Sequence, residues 1–188
     1  MITDLKHYAK KFEGVLPKNI CEQSVKQMSD LSFQQHKFYN PKENSLEARS
    51  GNKELAVSWG GISTKPFINN KVKETVIDYL QYIDIPWFTT FQNASDIRFN
   101  KYDKNTQMAM HTDHIHSLFD GQRKGIPILS VLGVLNEDYE GGEFIMFEDH
   151  EIKFKTGDIL VFPSLFLYPH GVNPVTKGTR YSYISWVW

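Results

Sequence analysis

The segment Met110-His-Thr-Asp-His-Ile-His116 concentrates side chains able to ligate a metal. In an extended strand, residues two apart project to the same face. His111 and Asp113 would therefore offer one imidazole and one carboxylate to a single ion. A third ligand must come from elsewhere, and the downstream histidines are His150 and His170. His150 sits in Glu148-Asp-His-Glu151, which reads as a polar turn. His170 lies between Pro169 and Gly171 at the end of a strand-like run, where it can be held rigidly at a rim. Taken alone, His-x-Asp is a weak signal, because any strand with two polar rim residues supplies one. His114 and His116 read as members of a solvated loop, as substrate contacts, or as part of a His-rich tract able to bind zinc.

Two imidazoles and a carboxylate on one face of an octahedral ion leave three positions open, the arrangement of non-haem Fe(II) oxygenases. Ten residues after His170 stands Arg180, which opens the run Arg180-Tyr-Ser-Tyr-Ile-Ser-Trp-Val-Trp188. Period two sets Arg180 and Ser182 on one face. A guanidinium is a planar fork suited to a carboxylate, and directing one into a β core is costly unless an anion meets it. The bland reading of Arg180 is a strand-end cation in solvent.

These residues need a frame. Up to about Ile85 the pattern is mostly helical: Ile20, Ser24, Val25, Met28 and Leu31 follow Pro17 at helical spacing, and Val72, Val76, Leu80 and Ile83 follow Pro66. The stretch His36–Gly61 between them is polar and reads as a long binding loop with at most one strand. From Asp96 onward the signal is β. Candidate strands are Ile97–Tyr102, Met108–Asp113, Ile128–Leu135, Phe144–Phe147, Ile152–Phe154, Ile159–Phe162 and Arg180–Trp188, separated by turn chemistry such as Glu140-Gly-Gly and Thr156-Gly-Asp.

The expected class is mainly β with N-terminal helices (α+β). No linker divides the 188 residues, so a single domain is expected, with 1–95 as helical support and loop and 96–188 as the β core. Lys+Arg 21 against Asp+Glu 22 gives a net charge of −1, which disfavours phosphate-driven nucleic-acid binding. The lone Cys21 excludes an intrachain disulfide framework and a Cys-x-x-Cys site. With no signal-peptide pattern and no apolar run long enough to span a bilayer, a soluble cytoplasmic protein without membrane contact is expected.

The segment Tyr102–Trp188 resembles the 2-oxoglutarate and Fe(II)-dependent dioxygenases, in their prolyl 4-hydroxylase-like branch. The matching residues are His111-Thr-Asp113, Val134-Leu-Asn136, Tyr139-Glu-Gly-Gly-Glu143, Gly157-Asp-Ile-Leu-Val-Phe-Pro163, His170, and Gly178-Thr-Arg180-Tyr-Ser182 with Trp186. Their order and spacing are far more specific than His-x-Asp. The resemblance implies a double-stranded β-helix, or jelly roll, supported by packed helices. It implies His111, Asp113 and His170 as iron ligands and Arg180 as the grip on the distal carboxylate of 2-oxoglutarate. Tyr102 and Ser182 are implied as further co-substrate contacts. Some members carry a co-substrate tyrosine where this chain has Val134, which leaves the other co-substrate contacts to be found.

The implied reaction is hydroxylation of an unactivated C–H using Fe(II), 2-oxoglutarate and O2, releasing succinate and CO2, with ascorbate as a stimulant. The branch points to a prolyl residue in a peptide or protein. A free amino acid, another small molecule, or a non-catalytic jelly-roll binding module are the alternatives. Demethylases of nucleic acids usually place a second arginine six positions after the first, where this chain has Trp186. Candidate substrate contacts are Trp59 on the long loop, Arg98, which shares the alternation of Tyr102, and His116 and Arg123 in the segment after the His-x-Asp pair.

Overall fold

The computed structural model describes residues 4–40, 42–43, 45–47, 53–113 and 127–188. After a 3-10 turn (Leu5–Tyr8) come β1 (Lys10–Phe12), α1 (Lys18–Met28), β2 (Gln34–Gln35), β3 (Phe38–Asn40), β4 (Ser45–Glu47), β5 (Ala56–Ser58) and α2 (Lys65–Ile83). The second half holds β6 (Arg98–Tyr102), β7 (Met108–His111), β8 (Leu129–Val134), β9 (Glu140–Gly141), β10 (Phe144–Met146) and β11 (His150–Ile152). It ends with β12 (Ile159–Pro163), β13 (His170–Val172), β14 (Val175–Lys177) and β15 (Arg180–Val187). A seven-stranded sheet runs β1-β12-β8-β15-β6-β5-β2, and a four-stranded sheet runs β11-β10-β13-β7. All of their ladders are antiparallel.

Strand alternation divides the apolar residues into two cores. On β8 and β15, Leu129, Val131, Tyr183 and Val187 face one way, and they pack with Cys21 and Met28 of α1 and Ile68, Val72, Val76 and Tyr79 of α2. Leu132, Ile184 and Trp186 face the other way, into a second core with Phe144 and Met146 of β10, Leu160 and Phe162 of β12, and Val172 of β13. The helices thus cover the outside of the large sheet. Its inner face and the small sheet enclose the interior of a jelly roll. Both helices begin where their sequence signals place them, α1 after Pro17 and α2 with Pro66 in its first turn.

The N-terminal half contributes more β structure than its sequence suggests. β1, β2 and β5 extend the large sheet, and β3 pairs with β4 in a separate ribbon. The stretch 36–61 therefore holds strands where one at most is expected. His150 is not in a turn but opens β11, opposite Met146. These strands span two or three residues, too few to show a period. Among the described residues, no helix is long and apolar enough to cross a membrane.

The helix-facing core has one tight point. Gly133 lies directly across from Tyr183, and a Cβ built on it would sit 2.0 Å from Tyr183 Cζ. The Tyr183 ring occupies the space that the glycine leaves. Gly133→Ala should cost about 1–3 kcal/mol by overpacking. Much of that cost should vanish when Tyr183→Ala is combined with it, a non-additivity that urea unfolding of the two single variants and the double variant will measure.

Candidate active site

The end of β7 carries His111, and β13 carries His170 directly across the ladder from it. Asp113 follows β7 by two residues. The small sheet thus brings together residues 57 to 59 positions apart in the chain. Each side chain offers one ligand atom, and the three atoms lie within 4.8 Å of one another. Asp113 Oδ1 is 3.4 Å from His111 Nε2 and 3.8 Å from His170 Nε2.

Every member of the triad is oriented from behind. His111 Nδ1 is 2.9 Å from the Ala109 carbonyl oxygen, and His170 Nδ1 is 3.1 Å from that of Tyr168. Donation from Nδ1 to a carbonyl leaves each Nε2 with a lone pair directed at the shared point. Ser130 Oγ donates to Asp113 Oδ2 at 2.5 Å and is itself 2.6 Å from Ser164 Oγ. Phe162 and Phe144 pack on the His170 ring, and Phe38 of the 36–61 stretch packs on His111. Burial pushes the Asp113 carboxyl up, but the two imidazoles and the Ser130 hydroxyl outweigh it and hold the group well below the usual carboxylate range. Burial and the adjacent His111 push His170 down to about 4. Near neutral pH the site therefore presents a carboxylate beside a neutral His170 imidazole, the forms that ligate a metal.

The inner face of the large sheet supplies the second half of the site. Arg180 is fully buried; its Nη1 donates to Ser182 Oγ at 3.1 Å. Its guanidinium carbon lies 4.9 Å from the Tyr102 ring centroid, across the β6–β15 ladder. Nε and Nη2 have no hydrogen-bond partner, and no carboxylate pairs with Arg180 among the described residues. A buried guanidinium with two idle donors is expensive in a folded protein, and an anion bound there removes the cost. Burial pushes the Tyr102 phenol up against the pull of Arg180 and Arg98, so it is a neutral hydroxyl. The donor set fits a divalent iron held by His111, Asp113 and His170. The idle Arg180 donors fit a carboxylate of a 2-oxo acid.

Residues 97–188 match the model of the 2OG-Fe(II) oxygenase superfamily. The C-terminal half of the chain belongs to that superfamily. A PKHD-type hydroxylase of Idiomarina loihiensis is 37% identical over 99 residues, covering 51% of this chain and 43% of that protein. One from Xylella fastidiosa is 35% identical over 107 residues, covering 48% and 43%. The match thus spans less than half the length of these curated relatives. Among solved structures, the viral collagen prolyl hydroxylase of Paramecium Bursaria Chlorella virus-1, in its 2OG complex, aligns with TM-score 0.65 at 17% identity. That alignment covers 96% of this chain and 94% of that one. A Pseudomonas putida prolyl-4-hydroxylase aligns with TM-score 0.65 at 18% identity over 96% and 92%. These likenesses bear out the jelly-roll fold and the dioxygenase resemblance.

Of the other candidates, Trp59 is half exposed, with its ring 6.3 Å from that of Trp186. Lys65 fixes its backbone, donating to the carbonyls of Trp59 and Gly60 while pairing with Asp96 at 2.8 Å. Arg98 is buried on the inner face, its guanidinium carbon 5.0 Å from the Trp186 ring centroid. His114, His116 and Arg123 lie outside the described residues. Val134, where some members place tyrosine, stands across from Ser182. Sequence reasoning missed Ser130. The available signal was one hydroxyl in the buried run Leu129-Ser-Val-Leu-Gly-Val134.

Removing that hydroxyl tests the arrangement directly. Ser130→Ala strands Asp113 Oδ2 in the interior and should weaken metal binding about 10- to 100-fold, the usual cost of losing a partner behind a ligand. Anaerobic competition titration with Fe(II) or Mn(II), alongside circular dichroism to confirm the fold, will show it.

Proposed function

We propose that the 188 residues act as one Fe(II)- and 2-oxoglutarate-dependent dioxygenase that hydroxylates an unactivated C–H, with a prolyl residue of a peptide or protein as substrate. One observation carries this reading. Three ligands oriented from behind and a buried arginine with idle donors converge in the interior of one jelly roll. A purely structural metal site has no use for the arginine, and a non-catalytic binding module has no use for the triad.

Bound at this site, Fe(II) and 2-oxoglutarate would supply O2 activation and C–H oxidation, with succinate and CO2 as co-products. The protein's own part is positional. His111, Asp113 and His170 would hold the ion and leave positions free for the co-substrate and O2. Arg180, with Ser182 beside it and the Tyr102 hydroxyl across the ladder, takes the far carboxylate of the co-substrate in a charge-assisted bond. Arg180, Ser182 and Tyr102 are buried, and the low local dielectric would strengthen that bond. Leu132, Phe162, Ile184 and Trp186 belong to the apolar core of this interior.

The prolyl assignment is supported by the hydroxylase names of the relatives and by the prolyl hydroxylases among the fold neighbours. One of these, from Trichoplax adhaerens, is solved with a peptide fragment of hypoxia inducible factor and aligns with TM-score 0.68 at 16% identity. The half-exposed Trp59 ring beside the buried Trp186 is a flat apolar surface of the kind on which a pyrrolidine ring packs.

Anaerobic addition of Fe(II) and 2-oxoglutarate should produce the weak visible charge-transfer band of the chelate. His111→Ala and Asp113→Ala should abolish it. Arg180→Gln should keep metal binding and require at least about tenfold more 2-oxoglutarate to reach half-saturation, since a buried charge-assisted bond is lost. A wild-type protein that shows no band sinks the dioxygenase reading. If proline-containing peptides gain no oxygen by mass spectrometry while another compound does, the prolyl assignment falls and the reaction class stands.

A further inference from the structure

Arg180 is not the only arginine inside the jelly roll. Arg98 begins β6, is 8% exposed, and shares the inner face with Asn100 and Tyr102. Its Nε donates to Asn100 Oδ1 at 3.1 Å, and its guanidinium rests 5.0 Å from the Trp186 ring centroid. Asn100 and Trp186 thus fix the plane of the fork. Its two terminal amino groups donate to no acceptor among the described residues, and it forms no ion pair there. The carboxylate whose field reaches it is Asp113. Asp113, however, is already committed: Oδ2 accepts from Ser130, and Oδ1 faces the two imidazoles at the metal position. A metal held by the triad takes up that charge and leaves Arg98 without a counter-ion.

A second idle donor adjoins it. Trp186 Nε1 is buried with no hydrogen-bond partner, and the half-exposed Trp59 ring lies beside Trp186. The ladder runs from Arg180 opposite Tyr102 to Ile184 opposite Arg98. Four residues of extended chain set the Cα atoms of Arg98 and of Tyr102, the residue opposite Arg180, about 13 Å apart. One arginine stands at each end of the ladder.

We infer that Arg98, with Asn100 and Trp186, forms a second carboxylate-binding subsite, used by the substrate and separate from the co-substrate position at Arg180. This rests on the dioxygenase reading and narrows its substrate to molecules carrying a carboxylate near the oxidised carbon. Two sources supply that chemistry: the α-carboxylate of a free amino acid, or an acidic side chain or C-terminus of a peptide.

The test compares acids with their amides. Zinc-loaded protein with 2-oxoglutarate is titrated with N-acetyl-L-proline, N-acetyl-L-prolinamide, each of the free amino acids, and a capped Pro-Glu dipeptide amide, followed by tryptophan fluorescence. The wild type should bind an acid about tenfold or more tightly than its amide, as expected for a charge-assisted bond. R98Q should reduce that ratio to near unity, and R98K should retain part of it. If R98Q does not fold, the wild-type contrast and R98K carry the comparison. Tightest binding of a free amino acid assigns the α-carboxylate, and tightest binding of the dipeptide assigns an acidic residue. Equal binding of acid and amide, equal weakening of both in R98Q, or no binding by any carboxylate probe overturns the subsite. With the Fe(II)–2-oxoglutarate band intact, each of those results leaves the dioxygenase reading standing. Loss of the band removes that reading instead.

Discussion

The Asp113 carboxylate is the point on which the interior depends. It is a buried charge, and a buried charge without partners costs several kcal/mol. The structure surrounds it with a hydroxyl on one oxygen and two imidazoles near the other. Those contacts come from three separate stretches of chain: β7 with its following residues, β8, and β13. The Ser130 contact forms only when the two sheets have met. The site is therefore a product of the closed sandwich and is not preformed in any local segment.

The same constraint explains the placement of polar residues in otherwise apolar strands. β15 alternates a helix-facing set, Tyr183 and Val187, with an interior set, Arg180, Ser182, Ile184 and Trp186. A slip of one residue would turn the arginine toward α1 and α2 and empty the site. The contact between Gly133 and Tyr183 opposes such a slip, because a bulky ring there needs a residue without a side chain across from it. The helix-facing core thus pins the register on which the chemistry relies. This is how a mostly helical support layer bears on a site it does not touch.

Legibility from sequence followed the same division. His111 and Asp113 share a face through strand period alone, which can be read locally. Choosing His170 over His150 required the ordered spacing through to Arg180, since both histidines are compatible with a rim. The structure separates them: His170 faces His111 across a ladder, whereas His150 lies on β11, three strands from β7. The long strands were readable, but β1 was not. Its three residues pair with Ile159–Val161 at the far end of the chain, and nothing local signals that partner. The 36–61 stretch was legible as a loop that reaches a site, and Phe38 against His111 and Trp59 beside Trp186 are that reach. Its strands are too short to carry a pattern. Ser130 was invisible for a different reason. A hydroxyl in a buried strand declares a hidden partner but does not say which one.

The β6–β15 ladder turns these observations into a physical statement about specificity. One strand pair carries Arg180 and Tyr102 at one end, Ser182 opposite Asn100 in the middle, and Arg98 at the other end with Trp186 just beyond it. In the proposed arrangement, co-substrate and substrate would be held by side chains of the same ladder, whose backbone spacing is set by strand rise. A loop-borne substrate contact would let that distance drift. The backbone of the central ladder cannot drift without breaking hydrogen bonds that hold the large sheet together. On the proposed subsite, substrate selection is tied to a rigid element, and changing it would require new side chains at fixed positions of the ladder instead of a rearranged loop.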